Sequence, residues 1–275
     1  MRAFAPSDNP KPAGFIDRLI RAFPRTAHLV AGAALYASVI LALGLSATAP
    51  LLLLSAAGAR LMALDGWLWW PATGVLLAAC LFLWGFALLA VVPLFNLVLP
   101  TRLRPFSGGY FTAAALPWYL HNGLFYLVRF TFLPFVTATP VGPLFLRAMG
   151  MKLGRRVRIT TECFSDLNMI TVGDDAVIGG SATIFCHYGG NGRLVIAPVV
   201  VGRAAVIGEK ATIMGDVVVG EGATVLPHAA VLPGTRIGPR ERWGGAPARR
   251  ISREEWEAMK ASRSEVNHAI PSSDH

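Results

Sequence analysis

The first half of the chain alternates long apolar stretches with short polar segments. Residues 29–54 and 67–100 are nearly free of charged side chains, and each exceeds the roughly 20 apolar residues that a helix needs to cross a bilayer. Both stretches therefore predict membrane-spanning helices, and the second is long enough to tilt or to break at Pro93. A polar lead of 28 residues comes first, and no short apolar run precedes a small-residue cleavage site, which argues against a cleaved signal peptide.

A third apolar stretch, residues 110–139, has a different composition. It contains His121, Asn122 and Arg129 together with two prolines, a mixture that is rare in a membrane span. We interpret it as a re-entrant or in-plane segment, because Trp118 and two tyrosines are suited to the membrane interface. If this stretch spanned the membrane, the second half of the chain would lie outside the cytoplasm.

The second half of the chain follows a period of six. A small residue stands four positions after most of the repeating aliphatic residues. The aliphatic series comprises Val172, Ile178 and Ile184, and then Val201, Ile207, Ile213, Val219, Val225, Val231 and Ile237. This spacing predicts a parallel β-helix in which three hexads form one triangular coil. Ordinary strands would instead show a period of two with irregular turns.

The period is interrupted once. Val201 follows Ile184 by 17 positions, where a multiple of six is expected, and the interval holds the polar sequence CHYGGNGR at 186–193. This interruption predicts a loop that leaves the coil, and loops on a rigid scaffold often carry function. After the repeats, Ser252 and Glu255 form the pattern of a capping box and predict a helix through about residue 262 that covers the last coil. The final dozen residues are expected to be disordered.

These patterns divide the chain into four regions. We expect a polar basic segment at 1–27, a membrane region at 28–140, a β-helix domain at 141–251, and a capping helix with a disordered tail at 252–275.

Composition and charge support a membrane protein. Hydrophobic residues make up 54% of the chain and the mean hydropathy is +0.52, too apolar for an ordinary soluble protein. The net charge is +9, and the basic residues of the first half flank the predicted spans. By the positive-inside rule, the N-terminus and the β-helix face the cytoplasm of a bacterial-type inner membrane. Binding to nucleic acid is a weaker explanation, because the charges do not form a stripe. The three cysteines show no metal-binding spacing and suggest no disulfide framework.

Four motifs occur in a recognisable order in the second half. They are ITVGD at 170–174, ATI at 182–184 leading to His187, the VG and IG pairs at 201 and 207, and GGAPAR at 244–249. Over roughly residues 150–251 this order resembles the hexapeptide-repeat acetyltransferases that act on sugars, galactosides and xenobiotics. The resemblance implies a left-handed β-helix and an acyltransferase activity.

The residues before the repeats narrow the resemblance. TPVGP at 139–143, LGR at 153–155 and the segment from Thr161 to Leu167 look like the membrane-embedded C-terminal domains of poly-lysine-type peptide synthetases. In those proteins, amphipathic membrane segments precede a similar β-helix, which joins a thioester-bound aminoacyl group to a free amine. We expect a stand-alone relative of these domains, with its donor and acceptor left open.

The resemblance implies that His187 is the general base, which takes a proton from the acceptor as the acceptor attacks the thioester. Histidine suits this role because an imidazole titrates near neutral pH. Asp166 lies about one coil earlier and could orient the imidazole or simply occupy a surface turn, and Glu162 is a weaker choice for the same role. Cys186 suggests a covalent mechanism, although a cysteine at such a position is more often a small buried hydrophobic residue.

The implied co-substrate is a coenzyme A thioester or a phosphopantetheine carrier, bound along the coils between two subunits of a homotrimer. The residues that match the family's binding positions are Gly208, Lys210, Gly244, Ala246 and Arg249. No metal is expected, because the β-helix contains only His187 and His228, and we expect His228 at a corner.

The acceptor could be an amine, a sugar or an amphiphilic molecule, and membrane lipid is an expected partner. The segment with His121 and Arg129 could bind the acceptor or serve as an interfacial anchor. The alternative function is a non-catalytic, membrane-anchored scaffold that binds a partner.

Overall fold

The structure is a computed structural model that describes residues 14–64, 66–110, 112–190 and 192–269. Seven helices and seventeen short strands are assigned within these ranges. The helices are α1 (Phe15–Ala22), α2 (Pro24–Met62), α3 (Trp69–Val98), α4 (Leu116–Arg129), α5 (Leu133–Val136), α6 (Val141–Ala148) and α7 (Arg253–Ala269).

Helices α2 and α3 contain the two stretches that the sequence predicts as spans. By length and composition, both helices could cross a membrane. In the most apolar 18-residue segment of each helix, 17% and 28%, respectively, is buried inside the molecule. The first helix extends beyond the predicted stretch at both ends. The second continues through Pro93 to Val98 without breaking. The two helices pack against each other along their length.

The third apolar stretch is divided among short elements. Its longest helix, α4, has 14 residues, fewer than the roughly 20 that a span requires. Proline at the start of α4 and of α5 favours helix initiation there, because its missing N–H has no partner in the first turn. Glycines let α4 and its neighbours approach closely: the ring of Phe132 packs onto Gly85 of α3, and Leu35 of α2 packs onto Gly123 of α4.

The second half of the chain forms a three-sided parallel β-helix, as the period of six predicts. Its strands and the strands that pair with them are β1 (Phe106–Gly109), β2 (Lys152–Leu153), β3 (Arg158–Ile159), β4 (Ile170–Val172), β5 (Val177–Ile178), β6 (Thr183–Ile184), β7 (His187–Gly190), β8 (Arg193–Ile196), β9 (Val199–Val201), β10 (Val206–Ile207), β11 (Thr212–Ile213), β12 (Val218–Val219), β13 (Thr224–Val225), β14 (Ala230–Val231), β15 (Arg236–Ile237), β16 (Arg242–Gly244) and β17 (Arg249–Arg250). The left hand of the coil stays a prediction from the resemblance.

Each face of the β-helix is a ladder of strands from successive coils. The first face stacks β3, β5, β10, β13 and β16, the second stacks β6, β11 and β14, and the third stacks β2, β4, β9, β12 and β15. In the later coils the paired residues are 18 positions apart, as with Val206 and Thr224. The repeating aliphatic side chains fill the interior, and Ile207, Ile213 and Val225 are fully buried.

The corners repeat with the same period. From residue 204 to residue 240, every sixth residue has a positive φ: Ala204, Lys210, Asp216, Gly222, His228, Gly234 and Arg240. His228 thus lies at a corner, as predicted. Because the left-handed conformation is costly for most residues other than glycine, the coil, and not local preference, determines the backbone at corners such as Ala204 and Lys210.

The predicted loop is an antiparallel hairpin. Strands β7 and β8 pair with each other, and β1 from the first half of the chain pairs with β8 to complete a three-stranded sheet. The hydroxyl of Tyr110, just after β1, lies against Gly189 of β7. The hairpin that begins with His187 is therefore held from outside the β-helix, by residues that precede it by about 80 positions.

The C-terminal helix begins at the predicted capping box. The Glu255 N–H donates to Ser252 Oγ at 3.1 Å, and the Ser252 N–H donates to Glu255 Oε2 at 2.8 Å. The helix continues to Ala269 and is thus longer than the predicted helix, which ends near residue 262. Disorder of the final residues stays a prediction. Residues 270–275 and residues 1–13 of the predicted basic segment lie outside the described residues.

Candidate active site

His187 is the first residue of the hairpin, and its imidazole contacts the carboxylate of Asp166. The distance from His187 Nδ1 to Asp166 Oδ2 is 2.6 Å. The aspartate side chain is fully buried, whereas that of the histidine is 25% exposed. Because a carboxylate only accepts hydrogen bonds, Nδ1 carries the proton and Nε2 has the free lone pair in the neutral ring. This tautomer is the one that a general base requires.

Three donors hold the Asp166 carboxylate. Besides His187, the backbone N–H of Cys186 donates to Oδ2 at 2.9 Å, and Nδ2 of Asn122 donates to Oδ1 at 2.8 Å. The backbone of Asp166 has φ 60° and ψ 45°, a left-handed conformation that aspartate tolerates better than most residues. A buried carboxylate is costly unless it is hydrogen-bonded, and here both of its oxygens are.

Aromatic rings confine the imidazole. The ring centroid of Trp118 lies 5.1 Å from that of His187 with a nearly perpendicular orientation, and the ring of Phe185 lies 5.4 Å away. Trp118 belongs to α4 and Phe185 follows β6. Packing against these two rings restricts the rotamers of His187, which keeps the imidazole on Asp166.

Helix α4 docks on the β-helix with one polar face. Asn122 contacts Asp166, the Tyr126 hydroxyl is 2.6 Å from Ser165 Oγ, and Arg129 Nη1 donates to the Phe164 carbonyl at 3.3 Å. Residues spaced by four and three lie on the same side of a helix. Sequence reasoning missed this face, although the three polar residues at helical spacing within an apolar stretch are a signal that could have revealed it.

His121 lies on another side of α4 and is not part of the exposed site. Its side chain is fully buried, and Nδ1 is 2.9 Å from Asn96 Oδ1 at the end of α3. Burial lowers the pKa of His121 to about 4, and the negative charge of Asp166 opposes this shift in part. The imidazole is therefore neutral at neutral pH, and a core role fits it better than contact with an acceptor.

Two other residues near the dyad do not join it. The Glu162 carboxylate contacts Cys163 Sγ at 3.8 Å. Among the described residues, it makes no contact with His187. Cys186 is fully buried. Burial, and then the charge of Asp166, raise the pKa of the Cys186 thiol well above its usual value, so the thiol is protonated and a poor nucleophile.

Four of the predicted donor-binding residues share one corner of the later coils. Gly208 packs beneath Leu226 and Gly244 packs above it, so the three form one column. Lys210 and Ala246 lie two positions beyond Gly208 and Gly244 at the same corner. The fifth, Arg249, lies on β17, and its Nη1 is 2.8 Å from Glu255 Oε1.

His187 is not at the corner of the donor-binding residues. It follows β6, at the end of the second face, whereas the Gly208 corner precedes that face. The second face of the prism therefore separates the two groups within one chain. The described part of the chain contains no group of three or more His, Cys, Asp or Glu side chains that could hold a metal ion.

Comparison with known proteins finds no matching family model. One curated relative is the Delta-poly-L-ornithine synthetase of Acinetobacter baumannii (strain AB307-0294), 26% identical over 170 residues. The match covers 60% of this chain and 12% of that protein, so this chain aligns with only a small part of the relative's length.

Solved structures that the chain matches include hexapeptide-repeat and related acyltransferases. A hexapeptide-repeat acetyltransferase of Vibrio cholerae O1 biovar eltor, complexed with acetyl coenzyme A, has a TM-score of 0.38 at 17% identity and covers 44% of this chain and 82% of its own. For a galactoside acetyltransferase complexed with coenzyme A, the TM-score is 0.36 at 18% identity, over 44% and 76%. Together with the synthetase, these are the groups whose motifs the sequence resembles. At these TM-scores and sequence identities, the ligands and substrates in these names are those of the matched proteins alone.

Proposed function

We propose that this protein is a membrane-bound acyltransferase that moves an acyl group, acetyl or aminoacyl, from a thioester to an amine or hydroxyl. The observation that carries this proposal is the contact between His187 Nδ1 and the buried carboxylate of Asp166 at 2.6 Å. A partly exposed imidazole with one nitrogen held by a buried carboxylate is the arrangement that general-base catalysis requires.

In the proposed reaction, His187 Nε2 takes the proton of the acceptor O–H or N–H while the acceptor atom bonds to the thioester carbonyl carbon. The carbon–sulfur bond then breaks, and the leaving thiolate takes the proton from the imidazolium. The products are the acylated acceptor and a free thiol. Asp166 stabilises the imidazolium between the two proton transfers, and it can do so strongly because it lies in the low-dielectric interior.

Coenzyme A or a phosphopantetheine carrier would be the donor. The cofactor would lie along the corner of Gly208, Lys210, Gly244 and Ala246, with Lys210 and Arg249 as partners for phosphate. The salt bridge between Arg249 and Glu255 joins two largely exposed side chains and is easily exchanged. Because one face of the prism separates this corner from His187, the complete site would form between neighbouring subunits, as in a homotrimer.

Membrane binding is supported by the exposed apolar surface of α2 and α3. A core helix of a soluble protein is mostly buried, whereas the most apolar windows of these two helices are 17% and 28% buried. Arg18 lies before α2, Arg25 lies in its first turn, and Arg102 and Arg104 follow α3. By the positive-inside rule, this distribution favours a cytoplasmic β-helix. Reporter fusions at residues 64 and 275 test this topology, for which the first must report the periplasm and the second the cytoplasm.

The activity is tested on the full-length protein in detergent. Free thiol release is followed with a panel of acyl-coenzyme A and acyl-carrier donors, each combined with amine, sugar and lipid acceptors. We expect turnover by the wild type, a loss of roughly 10²-fold or more in His187→Ala, and near wild-type activity in Cys186→Ala. Equal turnover by the wild type and His187→Ala would reject the general base. A loss in Cys186→Ala equal to that in His187→Ala would favour a covalent intermediate.

If the whole panel, carrier donors included, gives no turnover by a folded wild type, the proposed activity is rejected and the alternative of a non-catalytic scaffold is favoured.

A further inference from the structure

Asn122 makes a two-point contact with Asp166. Its Nδ2 donates to Asp166 Oδ1 at 2.8 Å, and its Oδ1 accepts the Asp166 backbone N–H at 3.0 Å. The second hydrogen of Nδ2 goes to the Trp118 carbonyl at 3.1 Å. Reversing the amide would place its oxygen against a carboxylate and its N–H against an N–H, so the partners determine a single orientation.

This contact links three residues in a row. Asn122 holds one oxygen of the carboxylate and the other oxygen holds His187 Nδ1. Asn122 is 5% exposed and Asp166 is fully buried, so water is a poor substitute for either partner. Since Asn122 also binds the Asp166 N–H, it restrains the left-handed backbone at that position as well as the side chain.

From this geometry we infer that Asn122 is a positioning residue for the proposed general base, and that α4 of the membrane region thereby forms part of the active site. The inference rests on the proposed function. Asn122 acts by holding the carboxylate in the rotamer that binds His187 Nδ1, which in turn keeps the lone pair of Nε2 available to the acceptor.

A purely structural role in docking α4 is the competing explanation, and the chain offers a matched control for it. The Tyr126 hydroxyl docks the next turn of α4 through Ser165, the neighbour of Asp166, without touching the dyad. Tyr126→Phe removes that hydrogen bond alone. Asn122→Ala removes the contact with the Asp166 carboxylate. Asn122→Ser removes it as well but keeps a small polar group, and it is the variant to use if Asn122→Ala does not fold.

The first measurement is kcat and KM of the full-length protein. We expect Asn122→Ala to lower kcat by about 10- to 100-fold, since small misplacements of a catalytic group have effects of that size, with KM for the donor within about twofold. Tyr126→Phe should keep kcat within about threefold. A folded Asn122 variant with wild-type kcat, or equal losses in both variants, would overturn the inference.

A double-mutant cycle then separates action through Asp166 from general loosening. In the Asp166→Ala background, Asn122→Ala should cause no further loss of kcat, because the carboxylate that it positions is gone. Additive losses would show that Asn122 acts by another route.

A readout without turnover keeps this inference distinguishable from the proposed function. With ¹⁵N-labelled histidine, and with His187→Gln to assign the signal, NMR reports which ring nitrogen of His187 is protonated. We expect Nδ1–H in the wild type and in Tyr126→Phe, and a mixture of tautomers in Asn122→Ala. Should the wild type catalyse no transfer, the proposed function fails, while an unchanged tautomer in Asn122→Ala would overturn the positioning role itself.

Discussion

The backbone N–H of Cys186 and the imidazole of His187 donate to the same oxygen of Asp166, at 2.9 Å and 2.6 Å. Two adjacent residues at the start of the hairpin thus bind one carboxylate oxygen from the preceding coil. The corner where the period of six is broken is therefore tied to the β-helix at the position where the proposed base begins.

This shared oxygen predicts the effect of Asp166→Asn. All the groups that bind the Asp166 carboxylate are hydrogen-bond donors. The side-chain amide of an asparagine at this position must therefore point its own N–H₂ at one of these donors. We expect kcat to fall by about 10²-fold or more because the imidazole loses its acceptor or adopts the other tautomer, with a loss of stability of about 1–3 kcal/mol. Steady-state kinetics and thermal unfolding in detergent measure both effects. Wild-type kcat in this variant would contradict the role of the dyad.

Glu162→Gln should have little effect. The Glu162 carboxylate makes a weak contact with Cys163 Sγ and none with His187 among the described residues. We expect kcat and both KM values to stay within about threefold of the wild type, since substitutions away from such contacts are usually mild. A loss comparable to that of Asp166→Asn, measured in the same assay, would assign Glu162 a direct role with the substrate.

The buried His121 side chain should make the stability of the folded protein depend on pH. Its pKa is about 4 in the folded protein, against the usual value of 6.5 for histidine, so between these values the unfolded chain binds a proton that the folded chain does not. This contribution to stability is fully present above pH 6.5 and decreases as the pH falls towards 4, by about 3 kcal/mol in all.

The substitution His121→Gln removes this titration. We expect the wild type to lose more thermal stability than the variant when the pH is lowered from 7.5 to 4.5 in the same detergent. Comparing the two proteins cancels the titration of the carboxylates, which is common to both. Parallel pH dependences in the two proteins would show that His121 does not titrate as a buried group.

The glycines of β7 provide a matched pair of substitutions. A Cβ on Gly189 would clash with the Tyr110 hydroxyl and lie 2.8 Å from the Arg193 carbonyl, whereas a Cβ on Gly190 would meet nothing within 4 Å among the described residues. Gly189→Ala should therefore cost about 1–3 kcal/mol and lower kcat by disturbing the hairpin of His187. Gly190→Ala should change stability by less than about 0.5 kcal/mol. Thermal unfolding and steady-state kinetics of the two variants test this difference. Equal stability and equal kcat in the two variants would contradict the packing of Tyr110 on β7.

Individual residues of the candidate site differ in how well the sequence predicts their roles. The sequence indicated His187 and ranked Asp166 ahead of Glu162 as the partner of the imidazole, but it could not settle the choice. That choice depends on which side chain points at the hairpin, and a local pattern does not contain this information. Asn122 was interpreted only as an obstacle to a membrane span, because its partner Asp166 is 44 positions away.

The elements that can be predicted from the sequence are those with a local periodicity. Burial of an aliphatic residue at every sixth position predicts the coils, uninterrupted apolar length predicts α2 and α3, and Ser252 with Glu255 predicts the start of α7. The pairing of β1 with β8 and the contact between Asn122 and Asp166 are visible only in the folded chain. These contacts join segments of different periodicity that are far apart in the chain, so nothing in either segment specifies its partner until the helical first half packs against the β-helix.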